Sequence, residues 1–323
     1  MSTRIDGLVS AIIPVHNRAT MIAEAVASVL AQDYRPIEII VVDDGSTDET
    51  PQALARLADS NADMRILSRD NGGPGAAKET GRLAARGAYL QYLDSDDLLL
   101  PGKFSAQVAA LEAETDCAIA YGMTRFRHAD GALAPGAWKG SGDRVDALFP
   151  SVLVSRWWDT GNPLYRREIC DEAGAWTSLR IEEDWEYDCR LASLGARLAY
   201  VPQFVCEIRD HDAERLSRHG LRPDSLKDRA SAQARIFDHA RNAGVANEAP
   251  EMRHFARALF LLARQCGGAG LDHEAETLFS LARRASTNER ASGMDFRLFS
   301  LATKFIGWRR AAALATMFER LRQ

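Results

Sequence analysis

Tyr89-Leu-Gln-Tyr-Leu-Asp-Ser-Asp-Asp-Leu98 carries a short apolar strand pattern straight into three carboxylates, Asp94, Asp96 and Asp97. Acids packed this closely repel one another unless positive charge sits among them. Taken alone, the stretch has two readings. It is an acidic turn after a strand, since Asp is a common turn residue. Or it is a site for a hard divalent cation, Mg2+ or Mn2+, which takes oxygen ligands and bridges to phosphates.

The sequence around it favours the second. Residues 8–15 read as a buried strand stopped by Pro14. Residues 20–31 read as a helix with Met21, Ile22, Ala25, Val26, Val29 and Leu30 on one face. Residues 37–42 form a second apolar run rich in β-branched side chains, as expected for a strand covered on both faces. A polar turn, Asp43-Asp-Gly-Ser-Thr-Asp48, precedes a helix over 49–59. A third strand at 64–67, a loop at 71–75, a helix at 76–85 and a fourth strand at 89–93 complete the series. This β-α-β-α-β-α-β order predicts an α/β fold, a mainly parallel, Rossmann-like sheet flanked by helices, with ligands at the carboxyl ends of its strands. The carboxylates of the opening stretch fall at that edge.

Residues 100–215 are less regular, with strands expected at 118–126 and 198–208 and a helix at 185–194. From Pro223 the pattern is almost purely helical. Segments 255–264 and 273–284 read as a hairpin separated by Gly267, Gly268 and Gly270, and 296–322 as a basic amphipathic segment.

Composition narrows the class. In 323 residues, 46% apolar and 26% charged are ordinary for a globular protein. No apolar run is long enough to span a bilayer, and the polar start, Met1 to Gly7, leads directly into a strand rather than a signal peptide. Five cysteines without a CxxC pair suggest neither a zinc site nor a disulfide framework, but reduced thiols in a cytoplasmic protein. The net charge of −5 is uneven: residues 225–323 carry 16 Lys and Arg against 10 Asp and Glu, a net of +6, leaving −11 for the remainder. An acidic body does not suit a nucleic-acid binder.

Four polar segments stand in order at element ends: Pro14-Val-His-Asn-Arg18, Val42-Asp-Asp-Gly-Ser46, Asp94-Ser-Asp-Asp97 and Ile181-Glu-Glu-Asp-Trp185. In a parallel sheet the first three converge on one edge. There Asp44 can accept hydrogen bonds from a base or ribose, the His16 ring can stack on a base, and a cation held by Asp96 can neutralise a diphosphate. Asp184, opening a helix, is a candidate to take a proton from a hydroxyl.

Together these segments resemble the family 2 inverting glycosyltransferases of the GT-A fold, over about residues 8–215. The matching text is Val9-Ser-Ala-Ile-Ile-Pro-Val-His-Asn-Arg18, Glu38-Ile-Ile-Val-Val-Asp-Asp-Gly-Ser-Thr-Asp48, Gly87-Ala-Tyr-Leu-Gln-Tyr-Leu-Asp-Ser-Asp-Asp97, Tyr165-Arg-Arg-Glu168 and Glu183-Asp-Trp185. The resemblance implies a nucleotide-sugar-binding catalytic domain over 1–222 and a helical region over 223–323. It implies a nucleotide-diphospho-sugar donor, commonly a UDP-sugar, met by Pro14, His16, Asn17, Asp44, Lys78, Asp94 and Ser95. Asp96, with Asp94, would hold Mn2+ or Mg2+, and Asp184 would be the general base. Arg209 and His211 fall in a segment similar to a loop that closes over the diphosphate. The acceptor would be a glycan or lipid-linked, in bacterial surface polysaccharide or glycolipid synthesis, at or near the inner face of the membrane.

Two departures touch the donor: His16 replaces the more usual Tyr, and Lys78-Glu79 replaces an Arg-Asn pair. A point charge at Lys78 is not equivalent to a planar guanidinium. The alternative function is a catalytically silent sugar-nucleotide-binding or scaffold protein that uses the helical tail for partners.

Several residues have plainer readings. Asp43 and Asp48 suit a turn and a helix start. Glu182 and Glu183 suit structural roles. Asp97 is either an acid behind the site or a cap of the next helix. His211 is either a metal or phosphate contact or a polar loop residue. Trp157 and Trp158 are an acceptor platform or core. Asn71-Gly-Gly-Pro-Gly75 is not a dinucleotide fingerprint, because Lys78 occupies the third glycine position. The terminal helix either lies on an anionic membrane or packs on the helical hairpin.

Overall fold

The structure is a computed structural model that describes residues 4–61, 64–211 and 220–320. The chain forms two compact units. The first comprises residues 1–148, 156–179 and 194–213, and the second residues 149–155, 180–193 and 214–323.

The first unit is an eight-stranded sheet with helices. Its first half is β1 (Ile5–Val15), α1 (Ile22–Leu30), β2 (Ile37–Asp44), α2 (Thr50–Asp59), β3 (Met64–Arg69), α3 (Pro74–Ala84) and β4 (Gly87–Tyr92). Then come β5 (Leu98–Leu99), α4 (Lys103–Ala113), β6 (Cys117–Arg127), β7 (Leu164–Arg166), α5 (Arg167–Ala173) and β8 (Arg197–Arg209). The spatial order is β3-β2-β1-β4-β7-β6-β8-β5. Strands β3, β2, β1 and β4 are parallel as expected. Beyond β4 the sheet is mixed: β7 runs antiparallel to β4 and β6, β6 and β8 are parallel, and β5 is antiparallel to β8.

Both faces of the parallel half are covered, which is why its strands read as unbroken apolar runs. Val9, Ala11, Ile13 and Val15 of β1 join Val26 and Val29 of α1, Leu54 of α2 and Phe104 and Leu111 of α4 in one core. Ile12 faces the other way, onto α3, where a Cβ on Gly81 would come within 2.3 Å of the Ile12 Cγ2. Pro14 does not stop β1. It stays paired in register with Val42 of β2, whereas pairing with β4 ends at Ile12 opposite Tyr92. The missing N–H therefore points to a side where no ladder partner is needed.

Sequence patterns carry no sign of α4, β5, β7 or α5. Strands of two and three residues have no measurable period. In α4 the buried face includes Lys103 and Gln107 beside Phe104, Val108 and Leu111, so polar residues interrupt the apolar stripe.

The second unit is helical: α6 (Glu183–Ser193), α7 (Pro223–Asn242), α8 (Pro250–Gly268), α9 (Asp272–Arg284), α10 (Asn288–Ala291) and α11 (Met294–Arg320), with a 3₁₀ turn at Ser151–Leu153. Gly267 and Gly268 do not separate the hairpin helices but end α8. A Cβ on Gly267 would lie 3.2 Å from the Cβ of Trp308, so glycine there lets α11 approach closely. Phe260, Phe279, Phe296, Phe299 and Trp308 form an aromatic cluster joining α8, α9 and α11. Helix α11 breaks at Gly307, whose φ is 75°. Residues 321–323, at the end of the expected terminal helix, lie outside the described residues.

The Gly81–Ile12 contact generates a prediction. Gly81→Ala should lower unfolding free energy by about 1–3 kcal/mol through overpacking. Combined with Ile12→Ala it should cost less than the sum of the two single changes. Urea unfolding of the four proteins in the cycle measures the coupling, and strict additivity would refute the contact.

Candidate functional site

Three strand ends meet at the carboxyl edge of the parallel half. After β1, the exposed His16 ring sets its Nδ1 2.9 Å from the Asp44 carbonyl oxygen. The amide nitrogens of Asn17 and Asn71 also lie against the ring, 3.2 Å from Nε2 and 3.1 Å from Nδ1. Asn17 has a φ of 52°, a region Asn tolerates better than most residues. It is held there by its N–H donating to Ser46 Oγ at 3.0 Å and by the Thr47 N–H donating to its Oδ1 at 2.8 Å.

Asp44 is almost fully buried. Its carboxylate accepts from Arg69 Nη1 at 2.8 Å and from the N–H groups of Gly72 and Gly73 at 3.0 and 2.7 Å. It thus fixes the loop that walls the His16 side. A Cβ on Gly72 would sit 2.6 Å from the Arg69 guanidinium, so a side chain there would displace the cation that pairs with Asp44.

After β4, the three carboxylates have different settings. Asp94 is partly exposed, and Lys78 Nζ lies 3.6 Å from its Oδ1. Lys78 is 1% exposed and its ammonium also sits 4.9 Å from the Trp176 ring centroid. Ser95 is buried. Asp96 Oδ2 lies 2.9 Å from His211 Nε2 and 3.4 Å from Arg18 Nε. Asp97 is buried and accepts the Arg209 N–H at 3.0 Å, while Arg209 Nε donates to the Asp96 carbonyl at 2.7 Å. Burial first, then the neighbouring charges of Asp96, Asp159 and Asp94, holds the Asp97 carboxyl well above the usual carboxylate range. Asp97 does not cap α4, whose N-cap position is Gly102. It ties the acidic turn to the end of β8.

A buried polar network belongs to the same unit. Asp159 accepts from Thr124 Oγ1 at 2.6 Å and from the Gly161 N–H at 3.0 Å. The Asn162 amide donates to Thr124 Oγ1 at 2.8 Å and to the Gly122 carbonyl at 2.6 Å. Lys103 Nζ donates to the Asn162 carbonyl at 2.7 Å and to Gln107. Burial pulls Lys103 down to about 7, partly opposed by Cys206 and Asp159. Trp158 is a core side chain whose ring centre lies 5.0 Å from that of Tyr121, so the platform reading fails for it. Trp157 is half-buried and lies flat against Gly140.

Asp184 stands in the first turn of α6, in the second unit, half-buried, with the Trp185 N–H donating to its Oδ1 at 2.7 Å. The preceding Glu182 has a φ of 62°, a strained conformation for a non-glycine residue. Arg229 Nε at 2.9 Å and Gln233 Nε2 at 2.5 Å, both from α7, grip its carboxylate.

Residues 10–138 match the profile of the family described as glycosyl transferase family 2. Over that stretch the chain is similar to this family. An uncharacterized glycosyltransferase of Rickettsia felis is 40% identical over 107 residues, which are 33% of this chain and only 18% of that protein. The succinoglycan biosynthesis protein ExoO of Rhizobium meliloti is 27% identical over 92% of this chain and 88% of its own length. The crystal structure of S. aureus TarS residues 1–349 in complex with UDP-GlcNAc superposes with a TM-score of 0.70 at 17% identity, over 97% of this chain and 91% of that one. The fold is therefore that of the GT-A glycosyltransferases.

Sequence motifs mark most of the strand-end residues of this site but not what braces them. Arg18 was visible at the end of the first strand text, yet only the fold brings it to Asp96. Arg69 carried no motif. Trp176 lies far along the chain from Lys78 and gave no signal at all. Among the described residues no three His, Cys, Asp or Glu side chains converge on one cation position. That still suits an Mg2+-like ion, which uses one or two carboxylates and completes its shell with water and substrate phosphates. Asp94 and Asp96 retain solvent access, and the imidazole beside Asp96 is an acceptable ligand for Mn2+.

Lys103 generates a pH prediction. Its folded value near 7 lies below the unfolded Lys value of about 10.4. Between those limits the unfolded chain binds more protons, so this group makes stability rise with pH across that window and contributes no slope below it. From pH 7.5 to 9.5 the native protein should gain stability relative to Lys103→Met by up to about 1.4 kcal/mol per pH unit. Urea unfolding across pH measures this, and parallel profiles would show that Lys103 keeps an ordinary value.

Proposed function

We propose that this protein is a metal-dependent inverting glycosyltransferase. It moves a sugar from a nucleotide-diphospho-sugar, a UDP-sugar, to an acceptor hydroxyl, in the assembly of a bacterial surface polysaccharide or glycolipid. The observation that carries this reading is the bracing of Asp94 and Asp96 by Lys78, Arg18 and His211 at the edge where β1 and β2 also end. Such an arrangement suits a ligand that brings both a cation and a diphosphate. The family match, the UDP-GlcNAc bound to the TarS fold and the biosynthetic role named for ExoO support it.

In this reading Pro14, His16 and Asn17 form the floor on which the base lies, with His16 offering a ring face. Asp44 shapes that floor by holding Gly72 and Gly73, and its remaining acceptor capacity is available to the base or ribose. Lys78, buried under Asp94, aims that carboxylate at the donor. Asp96 and Asp94, with His211 alongside, would hold Mn2+ or Mg2+. When bound, the ion stabilises charge developing on the leaving nucleoside diphosphate. Arg209 and Arg18 add positive charge beside the diphosphate. Asp184 accepts the proton of the acceptor hydroxyl as that oxygen attacks the anomeric carbon from the face opposite the leaving group. One displacement inverts the centre without a covalent intermediate.

Asp184→Asn should lower kcat by about 10³-fold or more with little change in donor affinity, since it removes only the base. Asp96→Ala should abolish transfer and the Mn2+-dependent part of donor binding. Transfer assays over a panel of UDP- and GDP-sugars, with UDP binding followed by calorimetry with and without Mn2+, read both effects. Full activity in Asp184→Asn would remove the base assignment. Unchanged Mn2+ dependence in Asp96→Ala would remove the metal assignment.

A further inference from the structure

One face of α11 carries large apolar groups with little protein over them. Phe305 is 83% and Met294 76% exposed, and Leu298 and Leu301 are exposed as well. The spacing of 4, 3 and 4 residues puts all four in one stripe along the helix before its break at Gly307. The opposite face is the one that packs, through Phe296 and Phe299 against Phe260 and Phe279. Arg297 and Lys304 fall along one flank of the exposed stripe. From Phe296 to Leu314 the sequence holds four basic residues, Arg297, Lys304, Arg309 and Arg310, and no Asp or Glu. A groove of about 640 Å³ between α9 and α11 continues this basic side, with Arg283, Arg284 and Lys304 against a single acid, Glu276, in its wall.

We propose that this face of α11 docks on an anionic lipid bilayer, lying in the interface rather than crossing it. Phe305, Leu301, Leu298 and Met294 enter the boundary between headgroups and acyl chains. Arg297 and Lys304 meet lipid phosphates, and the groove beside them accepts a headgroup. An exposed apolar stripe flanked by cations presents both the area that enters an interface and the charge that anionic lipids attract. Among the described residues no helix is long and apolar enough to cross a membrane. A second copy of the chain fits less well. Pairing this stripe with itself would bring the basic flank of Arg297 and Lys304 against its own counterpart, with Asp295 the one acid in residues 294–305.

The test is co-sedimentation of the full chain with phosphatidylcholine vesicles, with and without phosphatidylglycerol, at low and high salt. Binding should require phosphatidylglycerol and fall at high salt. Leu301→Ser with Phe305→Ser should lower partitioning roughly tenfold or more, because the inserted apolar area is lost. Arg297→Glu with Lys304→Glu should remove the preference for anionic vesicles. Thermal melting checks that both variants, altered only at exposed positions, remain folded. Absence of binding to the anionic vesicles would overturn the proposal, as would equal binding by both variants. So would a dimer in light scattering that Phe305→Ser splits, which would give the face to a second copy. No transferase activity enters the readout, so this proposal and the catalytic one fail independently.

Discussion

Three carboxylates within four residues at the end of β4 create a repulsion that the rest of the first unit is arranged to offset. Each is treated differently. Asp94 gets a buried ammonium, Lys78, which rests on the Trp176 ring. Asp96 gets an imidazole and a guanidinium from the ends of β8 and β1. Asp97 is buried, and its charged form is disfavoured. A buried cation such as Lys78 is tolerated only when paired, so its ion pair with Asp94 ties α3 to the acidic turn. The requirement for compensating charge thus reaches outward to α3, β1 and β8. It leaves the two more accessible carboxylates aligned before any ligand arrives, which reduces the reorganisation a bound cation would demand.

The mixed half of the sheet solves a different problem. Strand β7 is only three residues long, too short to hold β6 and β4 together by its ladder alone. The gap is bridged by side chains: Asn162 to Gly122 and Thr124, Thr124 to Asp159, and Lys103 to the Asn162 carbonyl. A fully satisfied buried polar network specifies one arrangement more sharply than apolar packing does, because any shift leaves an unpaired group in low dielectric. Its members include Cys206 and Asp159, and Asp159 is among the charges that raise Asp97. The network is therefore connected to the acidic turn through Asp159, whose charge acts on Asp97.

These two halves explain what could be read from the chain. The parallel half was legible because its strands are buried on both faces and its helices have clean apolar stripes, so period and residue type agree. Its strand ends were legible because loops there carry short polar motifs. The mixed half was not, because α4 buries Lys103 and Gln107 and β5 and β7 are shorter than any pattern. Within the site, single residues such as Asp96 and Asp44 were visible as acids at strand ends. Their partners were not, since Arg18, Arg69 and Trp176 acquire meaning only when distant segments are brought together, and Lys78, read as a donor contact, is seen only in the fold to pair with Asp94. Asp44 is the sharpest case. Its position suggested a ligand contact, and the fold adds three hydrogen bonds that make it the anchor of its own loop.

The helical unit carries a comparable constraint at the entry of α6. Glu182 adopts a left-handed backbone conformation that costs on the order of 1–3 kcal/mol for a residue with a Cβ. A glycine would adopt it with little strain, yet glycine could not accept the hydrogen bonds of Arg229 and Gln233. The side chain that strains the backbone is thus the one that secures it. Further along α6, Glu186 is held by Arg190 and by His239 of α7. Burial pushes its carboxyl up, but these two partners together outweigh it and keep it below the usual range. Two carboxylates on successive turns are therefore gripped by α7, and Asp184 lies between them in sequence. The start of α6 is thereby fixed by side chains of a neighbouring helix as well as by its own backbone ladder.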